Sequence, residues 1–333
     1  MNIKLIGAAV LGAALLAAPV AMAQQTVIKF SHVTTPDTPK GKGAEKFKEL
    51  AEKYSNGKVK VEIYPNSQIY KDKEEMEALQ LGAVQMLAPS LAKFGPLGVR
   101  AFEVFDLPYV FPDKAALRRV TDGPVGKALL AKLEPKGIKG LAYWDNGFKI
   151  MTANTPIAMP KDFQGLKMRI QSSKVLEAQF RAIGALPQVM AFSEVYQAMQ
   201  TGVVDGSENT PSNIYTQKHY EVQKYGLETN HGYIGYAVIV NKAFWDGLPA
   251  DTRAQLEKAM AEATVYANSI AQSENDEALE AMKKSGKIQL SKPTPEATLA
   301  FRKAMDPVYS EMSSRIGQDT IDQVLKATSS AGQ

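Results

Sequence analysis

Predicted strands and helices alternate along the first part of the chain, and this order constrains the fold more than any other feature. Residues 27–30 predict a strand, and an amphipathic helix is expected at 44–54. Residues 59–64 (VKVEIY) alternate apolar and polar side chains as a half-buried strand does, and a helix at 73–81 and a short strand at 84–89 follow. Strands that alternate with helices usually form a parallel sheet with helical crossovers. The sequence therefore predicts an α/β fold.

A second block of elements begins near Gly140. Its pattern again mixes short apolar runs with helical periodicity, and the chain is long enough for two domains of ordinary size. Strands are predicted at 141–144, 150–153, 166–170 and 233–240, and helices at 173–183 and from Ser193 to 202.

One helix-favouring stretch is unusually long. No proline or glycine interrupts residues 251–284, and Gly286 follows as a stop signal. At ~1.5 Å per residue, a single helix there extends roughly 50 Å, which exceeds the width of a small domain. We expect it to brace both domains. The alternative is a pair of helices broken at 272–275.

The N-terminus predicts export. Residues 1–4 carry a positive charge, residues 5–20 are apolar and alanine-rich, and Ala21-Met22-Ala23 is a signal-peptidase pattern, so we expect cleavage after Ala23 and a periplasmic protein. The competing hypothesis is a membrane anchor, but the apolar run is short for a spanning helix. We expect no stable membrane insertion. The net charge of +4 is mild, and no nucleic-acid partner is expected.

Signatures of catalysis are few. The chain has no cysteine and only three histidines, far apart in sequence, so disulfides, thiolate chemistry and histidine metal clusters are not expected. Nucleotide-binding, hydrolase and metalloprotease motifs are missing. Acidic pairs such as Glu74-Glu75 are interpreted as a solvated helix face. We therefore predict no enzyme, cofactor or metal, with a secreted hydrolase as the remote alternative.

The segment GLKMRIQSSK (165–174) carries an arginine in a strand that otherwise alternates apolar residues. One interpretation is an edge strand with solvated charges. The other is a carboxylate site, because a guanidinium meets both carboxylate oxygens with a planar fork. Further donors follow other predicted strands, where ligands gather in open α/β sheets. These candidates are Lys40 in the loop 31–43, Ser90, Lys93, Lys149, Arg169, Ser172, Asn209 and Asn213.

Several motifs resemble those of TRAP-transporter solute receptors over essentially the whole mature chain. MAFSEVY (190–196) and QTGVVDGSEN (200–209) resemble the family signature, to which GLKMRI also belongs. Further matches are YPNSQ (64–68), FDLPY (105–109) and Leu248-Pro249. Within the family, KDKEEMEAL (71–79) and WDNGFK (144–149) are most similar to the C4-dicarboxylate receptors.

The resemblance implies a hinged periplasmic solute-binding protein with two α/β domains and a long helix spanning both. The predicted division is domain 1 at 24–146 plus 235–274 and domain 2 at 147–234 plus 275–333. It also implies a receptor for succinate, fumarate or malate that serves a TRAP membrane permease, with another organic acid (a 2-oxo acid or an aromatic carboxylate) as the alternative.

The resemblance also assigns roles to individual residues. Arg169 corresponds to the arginine that pairs with a substrate carboxylate, Phe192 to an aromatic floor and Asn209 to a pocket asparagine. Lys149 stands where some relatives have a second arginine, so we expect it to attract the distal carboxylate without a bidentate fork. Tyr236 completes the predicted site.

Overall fold

Two β-sheets flanked by helices make up the fold in a computed structural model, which describes residues 25–329. The predicted signal peptide (1–23) and its cleavage site lie outside these residues. The strands are β1 (Thr26–Ser31), β2 (Val59–Tyr64), β3 (Met86–Leu87), β4 (Ile138–Phe148), β5 (Ile150–Ala153), β6 (Lys167–Ile170), β7 (Leu186–Val189), β8 (Gly206–Asn209), β9 (Tyr225–Leu227), β10 (Tyr233–Asn241) and β11 (Gln289–Ser291).

The strand order of each sheet mixes parallel and antiparallel neighbours. The first sheet has the order β2-β1-β3-β10-β4, in which β1 is parallel to β2 and β3 while β10 is antiparallel to both of its neighbours. The second has the order β11-β9-β5-β8-β6-β7, in which β6 is parallel to β7 and β8. The carboxyl ends of β1, β3, β6 and β8 carry most of the loops that lead to the candidate site.

Helices pack on both sheets and between them. Their bounds are α1 (Pro39–Tyr54), α2 (Asp72–Gln80), α3 (Lys114–Thr121), α4 (Pro124–Ala131), α5 (Lys174–Ala182), α6 (Val195–Gln200), α7 (Pro211–Thr216), α8 (Lys242–Asp246), α9 (Ala250–Ser285), α10 (Pro295–Met305), α11 (Pro307–Ile316) and α12 (Gln318–Ser329). The predicted α/β fold with a long helix is confirmed, and the proposed break at 272–275 is wrong because α9 is one helix of 36 residues.

The long helix α9 joins the two sheets. It packs against α1 and β4 on one side and against α7 on the other. Thr264 accepts a hydrogen bond from the Trp144 indole at 2.9 Å, and further along the helix Asn275 accepts the Ser212 backbone N–H at 2.9 Å. Gly286 ends the helix with φ 65°, a left-handed conformation that glycine adopts without steric cost.

Two crossings of the main chain also connect the sheets, and they bond to each other. Lys149 alone separates β4 of the first sheet from β5 of the second, and residues 228–232 lead back from β9 to β10. The Lys149 backbone donates to Gly232 O at 2.9 Å and accepts from Asn230 N at 3.1 Å. Lys149 is therefore a central residue of the connection.

Helix α1 starts earlier than the sequence pattern indicates. Its N-cap is Thr38, whose hydroxyl accepts the Gly41 N–H, so Lys40 lies in the first helical turn and not in a loop. Pro39 occupies the first position, where its missing N–H has no cost. A side chain at Gly41 would lie 2.4 Å from Pro36 O, so this glycine allows the close approach of the preceding loop.

The division into domains at 24–146 plus 235–274 and 147–234 plus 275–333 stays a prediction. The last two helices bear on its C-terminal part, because Ile321 and Val324 of α12 belong to the same apolar core as Leu117 and Val120 of α3. Helix α12 thus packs on a helix of the first predicted domain.

Candidate functional site

A cavity lined mainly by polar side chains lies between the two sheets. Its empty space, part of which is open to solvent, is about 320 Å³. Eight of the ten predicted site residues line it, and they come from both halves of the molecule. The lining residues are Val33, Thr34, Lys40, Asp72, Ser90, Lys93, Arg169, Gln171, Phe192, Asn209, Asn213, Ile234 and Tyr236.

Arg169 projects into this cavity from the interior of the second sheet. Strand β6 lies between β7 and β8, and Arg169 is 2% exposed, so the interpretation as a solvated edge is wrong. Its Nε and Nη2 donate to Met190 O at 3.1 and 2.8 Å, and its guanidinium lies 5.7 Å from the Phe192 ring centre. Burial lowers the pKa of Arg169 from its ordinary value, yet guanidinium remains protonated in proteins. No ion pair to Arg169 occurs within residues 25–329.

Lys40 reaches the cavity from the other half. Its Nζ donates to Ala88 O at 3.2 Å and lies 4.1 Å from the Tyr236 ring centre, while no carboxylate of the described residues forms an ion pair with it. Burial, followed by the charge of Lys93, lowers the pKa of Lys40 to about 7, although Glu75 and Asp72 oppose the shift. A buried ammonium without a carboxylate is costly and is stabilised by any anion that enters.

Lys93 also lines the cavity, but its charge is already balanced. It forms ion pairs with Asp72 and with Glu75, the latter at 3.2 Å. Burial alone would raise the pKa of Asp72, but Lys93 and Arg169 hold it at about 2, so this carboxylate is ionised. Burial raises the pKa of Glu75. Lys93 therefore has carboxylate partners without any ligand.

Amide and phenol groups form the uncharged wall of the cavity. Asn213 Nδ2 donates to Asn209 Oδ1 at 2.9 Å and to the Tyr236 hydroxyl at 3.3 Å, and Asn146 Nδ2 donates to the same hydroxyl at 2.7 Å. With both acceptor positions filled, the Tyr236 O–H is free to donate. The buried Asn213 Oδ1 has no partner within the described part of the chain. The wall therefore offers both a donor and an acceptor.

Comparison with known proteins decides the family. The model of the family described as bacterial extracellular solute-binding protein, family 7, matches residues 30–315. The C4-dicarboxylate-binding periplasmic protein DctP of Rhodobacter capsulatus is 68% identical over 324 residues, which cover 97% of each chain.

This chain is a family 7 bacterial extracellular solute-binding protein.

Solved structures agree with this assignment. A TRAP periplasmic solute binding protein from Shewanella oneidensis with bound succinate has a TM-score of 0.89 and 43% identity, covering 91% of this chain and 99% of that one. One from Pseudomonas aeruginosa with bound L-malate has a TM-score of 0.84 and 46% identity, covering 86% and 99%. The predicted membership among TRAP solute receptors and the hinged two-domain fold class are confirmed. In residues 25–329 of this family 7 protein, no helix has the length and apolar character needed to cross a membrane.

Lys149 does not line the cavity of the family 7 protein, and its predicted role as a second anion site needs correction. The side chain is 1% exposed and pairs with Glu208 at 2.8 Å. His231, also buried, lies 3.0 Å from the same carboxylate. Since Lys149 occupies the connection between the two sheets, its charge is used to neutralise a buried acid there. Lys40 supplies the second cation of the cavity instead.

Ser172 is another predicted site residue that does not line the cavity. It lines a separate groove outside, which is bounded by α2 and by the segment after β7. Sequence reasoning also missed Asp72, Thr34 and Gln171 as lining residues of the family 7 site. Gln171 lies within the polar run that follows Arg169, so the segment itself held that signal. The KDKEE run around Asp72 is typical of a solvated helix face, and yet Glu75 is 1% exposed.

Proposed function

We propose that this protein captures a C4-dicarboxylate such as succinate, fumarate or malate in the periplasm and delivers it to a TRAP-type membrane permease. It acts as a receptor and not as an enzyme. The relatives support the ligand class, because the Rhodobacter protein is described as C4-dicarboxylate-binding and two similar structures hold succinate and malate. Export by the predicted signal peptide accords with the periplasmic relatives.

The observation that carries the proposal is a pair of buried cations that form no ion pair among residues 25–329. Arg169 enters the cavity from β6 and Lys40 from α1, so each half contributes one. A diacid of four carbons satisfies both charges at once, with the fork of Arg169 on one carboxylate and Lys40 on the other. The hydroxyl of malate would find a donor in Tyr236 and an acceptor in Asn213.

Contacts across the cavity support a closed, water-excluding state of the two predicted domains. Asp72 of α2 accepts the Phe192 N–H, and Lys71 pairs with Glu194 at 2.8 Å. Exclusion of water strengthens each ion pair, because charges attract more strongly in a medium of lower dielectric constant. A diacid that bridges the two halves stabilises this state by binding it more tightly than the open one.

A thermal-shift screen of the mature protein against organic acids tests the proposed function. We expect succinate, fumarate and malate to raise the melting temperature, because a ligand at a hundred times its dissociation constant adds roughly 2.7 kcal/mol of stability. Acetate and butyrate are the matched monocarboxylates and should shift it little. If monocarboxylates stabilise the protein and C4 diacids do not, the ligand class is wrong.

We further expect the affinity for succinate to fall as the pH rises above 7. The groups that surround the Lys40 ammonium are Lys93 and the acids Glu75 and Asp72 of α2, with His32 directly after β1, Tyr236 on β10 and Arg169 on β6. Lys40 with a pKa of about 7 loses its charge in this range, so binding of a dianion must restore the proton. The loss approaches about tenfold per pH unit, which isothermal titration calorimetry measures directly.

The matched control for this pH dependence is Lys40→Met. It removes the titrating group, so the affinity for succinate should be lower at pH 7 and should change little with pH above 7.

The stability of the ligand-free protein changes with pH in the opposite direction to the affinity. A pKa lowered from 10.5 to about 7 means that the unfolded chain binds more protons in that window, so stability from this group rises with pH. An equal pH slope in both proteins would contradict the role given to Lys40.

A further inference from the structure

Gln171 lies between two spaces of different size. Its side chain lines the inner cavity, with about 320 Å³ of empty space, and also the outer groove, with about 1250 Å³, both counted with the space open to solvent. Among the described residues, the other side chains that line both spaces are those of Asp72, Lys93 and Arg169. These four side chains therefore form a partition, two from each half of the molecule, between the site and the groove.

The members of the partition are held in different ways. Lys93 pairs with Asp72, which also accepts the Phe192 N–H, and Arg169 donates to Met190 O. Gln171 is the uncharged member, and its side-chain oxygen accepts a hydrogen bond from the Ser90 hydroxyl across the cavity. Removal of Gln171 consequently opens the partition without leaving a charge unpaired.

The groove beyond the partition suits the extra length of a longer diacid. Met76, Leu97 and Val189 line it with apolar surface for methylene groups, and Lys73 lies on the same wall. In the intact protein a diacid too long to place its two carboxylates on Arg169 and Lys40 must press one end against the Gln171 side chain or the ionised Asp72. Both contacts are unfavourable, the first by overlap and the second by like-charge repulsion.

We propose that Gln171 sets the upper length of the diacid that this receptor accepts, by closing the inner cavity off from the outer groove. This inference rests on the proposed function and names the residue that determines specificity within it. Shortening the side chain joins the two spaces, so diacids of five and six carbons gain room while the sites for the first carboxylate stay in place.

Calorimetric titration of the wild type, Gln171→Ala and Gln171→Met with succinate, glutarate and adipate tests the proposal. We expect Gln171→Ala to raise the affinity for adipate relative to succinate by roughly tenfold or more. This is the size of effect that one methylene group has when a pocket does or does not accommodate it. Methionine keeps the bulk and removes the hydrogen bond, so Gln171→Met should retain the preference of the wild type.

Ser90→Ala is the matched control, because it breaks the same hydrogen bond and leaves the Gln171 side chain present. Its affinity for every acid should drop in parallel, with an unchanged ratio between acids. If the wild type binds succinate and Gln171→Ala has the same ratio of adipate to succinate affinity as the wild type, the role of Gln171 is wrong and the proposed function is not affected. A wild type that binds no diacid overturns the proposed function and this inference together.

Discussion

Arg169→Lys should cut succinate affinity sharply while the protein stays folded. The guanidinium lies at 2% exposure with two of its N–H groups on Met190 O, so its remaining donors point at a fixed place for a carboxylate. Lysine keeps the charge and loses the planar fork. Complete removal in Arg169→Ala should cost about 2–5 kcal/mol of binding free energy, because the bound carboxylate is left desolvated and unpaired. Calorimetry with succinate gives both values.

Arg181→Lys is the matched control, since Arg181 is half-exposed and pairs with Glu311 at 3.0 Å on the surface. Its succinate affinity should equal that of the wild type. The melting temperature of each ligand-free variant must be measured separately, because Arg169 also stabilises the Met190 carbonyl. Near-unchanged succinate binding by a folded Arg169→Lys protein would refute the proposed grip on the carboxylate.

Glu208→Ala should lower the stability of the ligand-free protein by about 3–5 kcal/mol, the effect of breaking a buried ion pair. The change leaves the Lys149 ammonium, 1% exposed, without its carboxylate, and removes the partner of His231. Urea unfolding followed by circular dichroism measures the loss. The double variant Lys149→Met/Glu208→Leu should recover much of the stability, since no buried charge then remains unpaired.

The control for this prediction is Glu134→Ala, whose partner Lys139 is 39% exposed. Exposed pairs contribute about 0–1 kcal/mol, so this change should be nearly silent. An equal loss in Glu134→Ala and Glu208→Ala would contradict the assigned role of the Lys149–Glu208 pair.

The stability of the protein at acid pH depends on the same pair. Burial alone would raise the pKa of Glu208, but Lys149 and His231 hold it at about 2, below the ordinary 4.5. Its contribution is therefore present above pH 4.5 and lost as the pH falls toward 2.

Much of the fold was predictable because it depends on local pattern. Strand β2 at Val59–Tyr64 has the predicted bounds, and α9 differs from the predicted 251–284 by one residue at each end. Alternation of apolar residues and uninterrupted helix formers act over a few neighbours, so a window of sequence contains them. Helix α1 was placed five residues too late, because its glycine-rich first turn depends on a loop packed behind it.

The site was predictable as a set of residue types near strand ends, and eight of those named do line one cavity. Which of these lysines would form an ion pair with an acid was not predictable. Lys93, Lys149 and Lys40 are alike in sequence, but Lys93 meets Asp72 and Glu75, Lys149 meets Glu208, and Lys40 meets only a carbonyl and a ring. Which acid lies beside which lysine depends on strands and helices that are far apart along the chain.

The sequence by itself determined that this protein is an α/β receptor of a known family, and it predicted an arginine that would hold a carboxylate. Only the tertiary structure decided which lysine lines the cavity without an ion pair among the described residues. Burial makes an unpaired charge costly, and Lys93 and Lys149 are buried beside acids that neutralise them. Among the described residues the Lys40 ammonium forms no ion pair, although Glu75 and Asp72 lie near enough to raise its pKa, and in the proposed function a ligand carboxylate pairs with it.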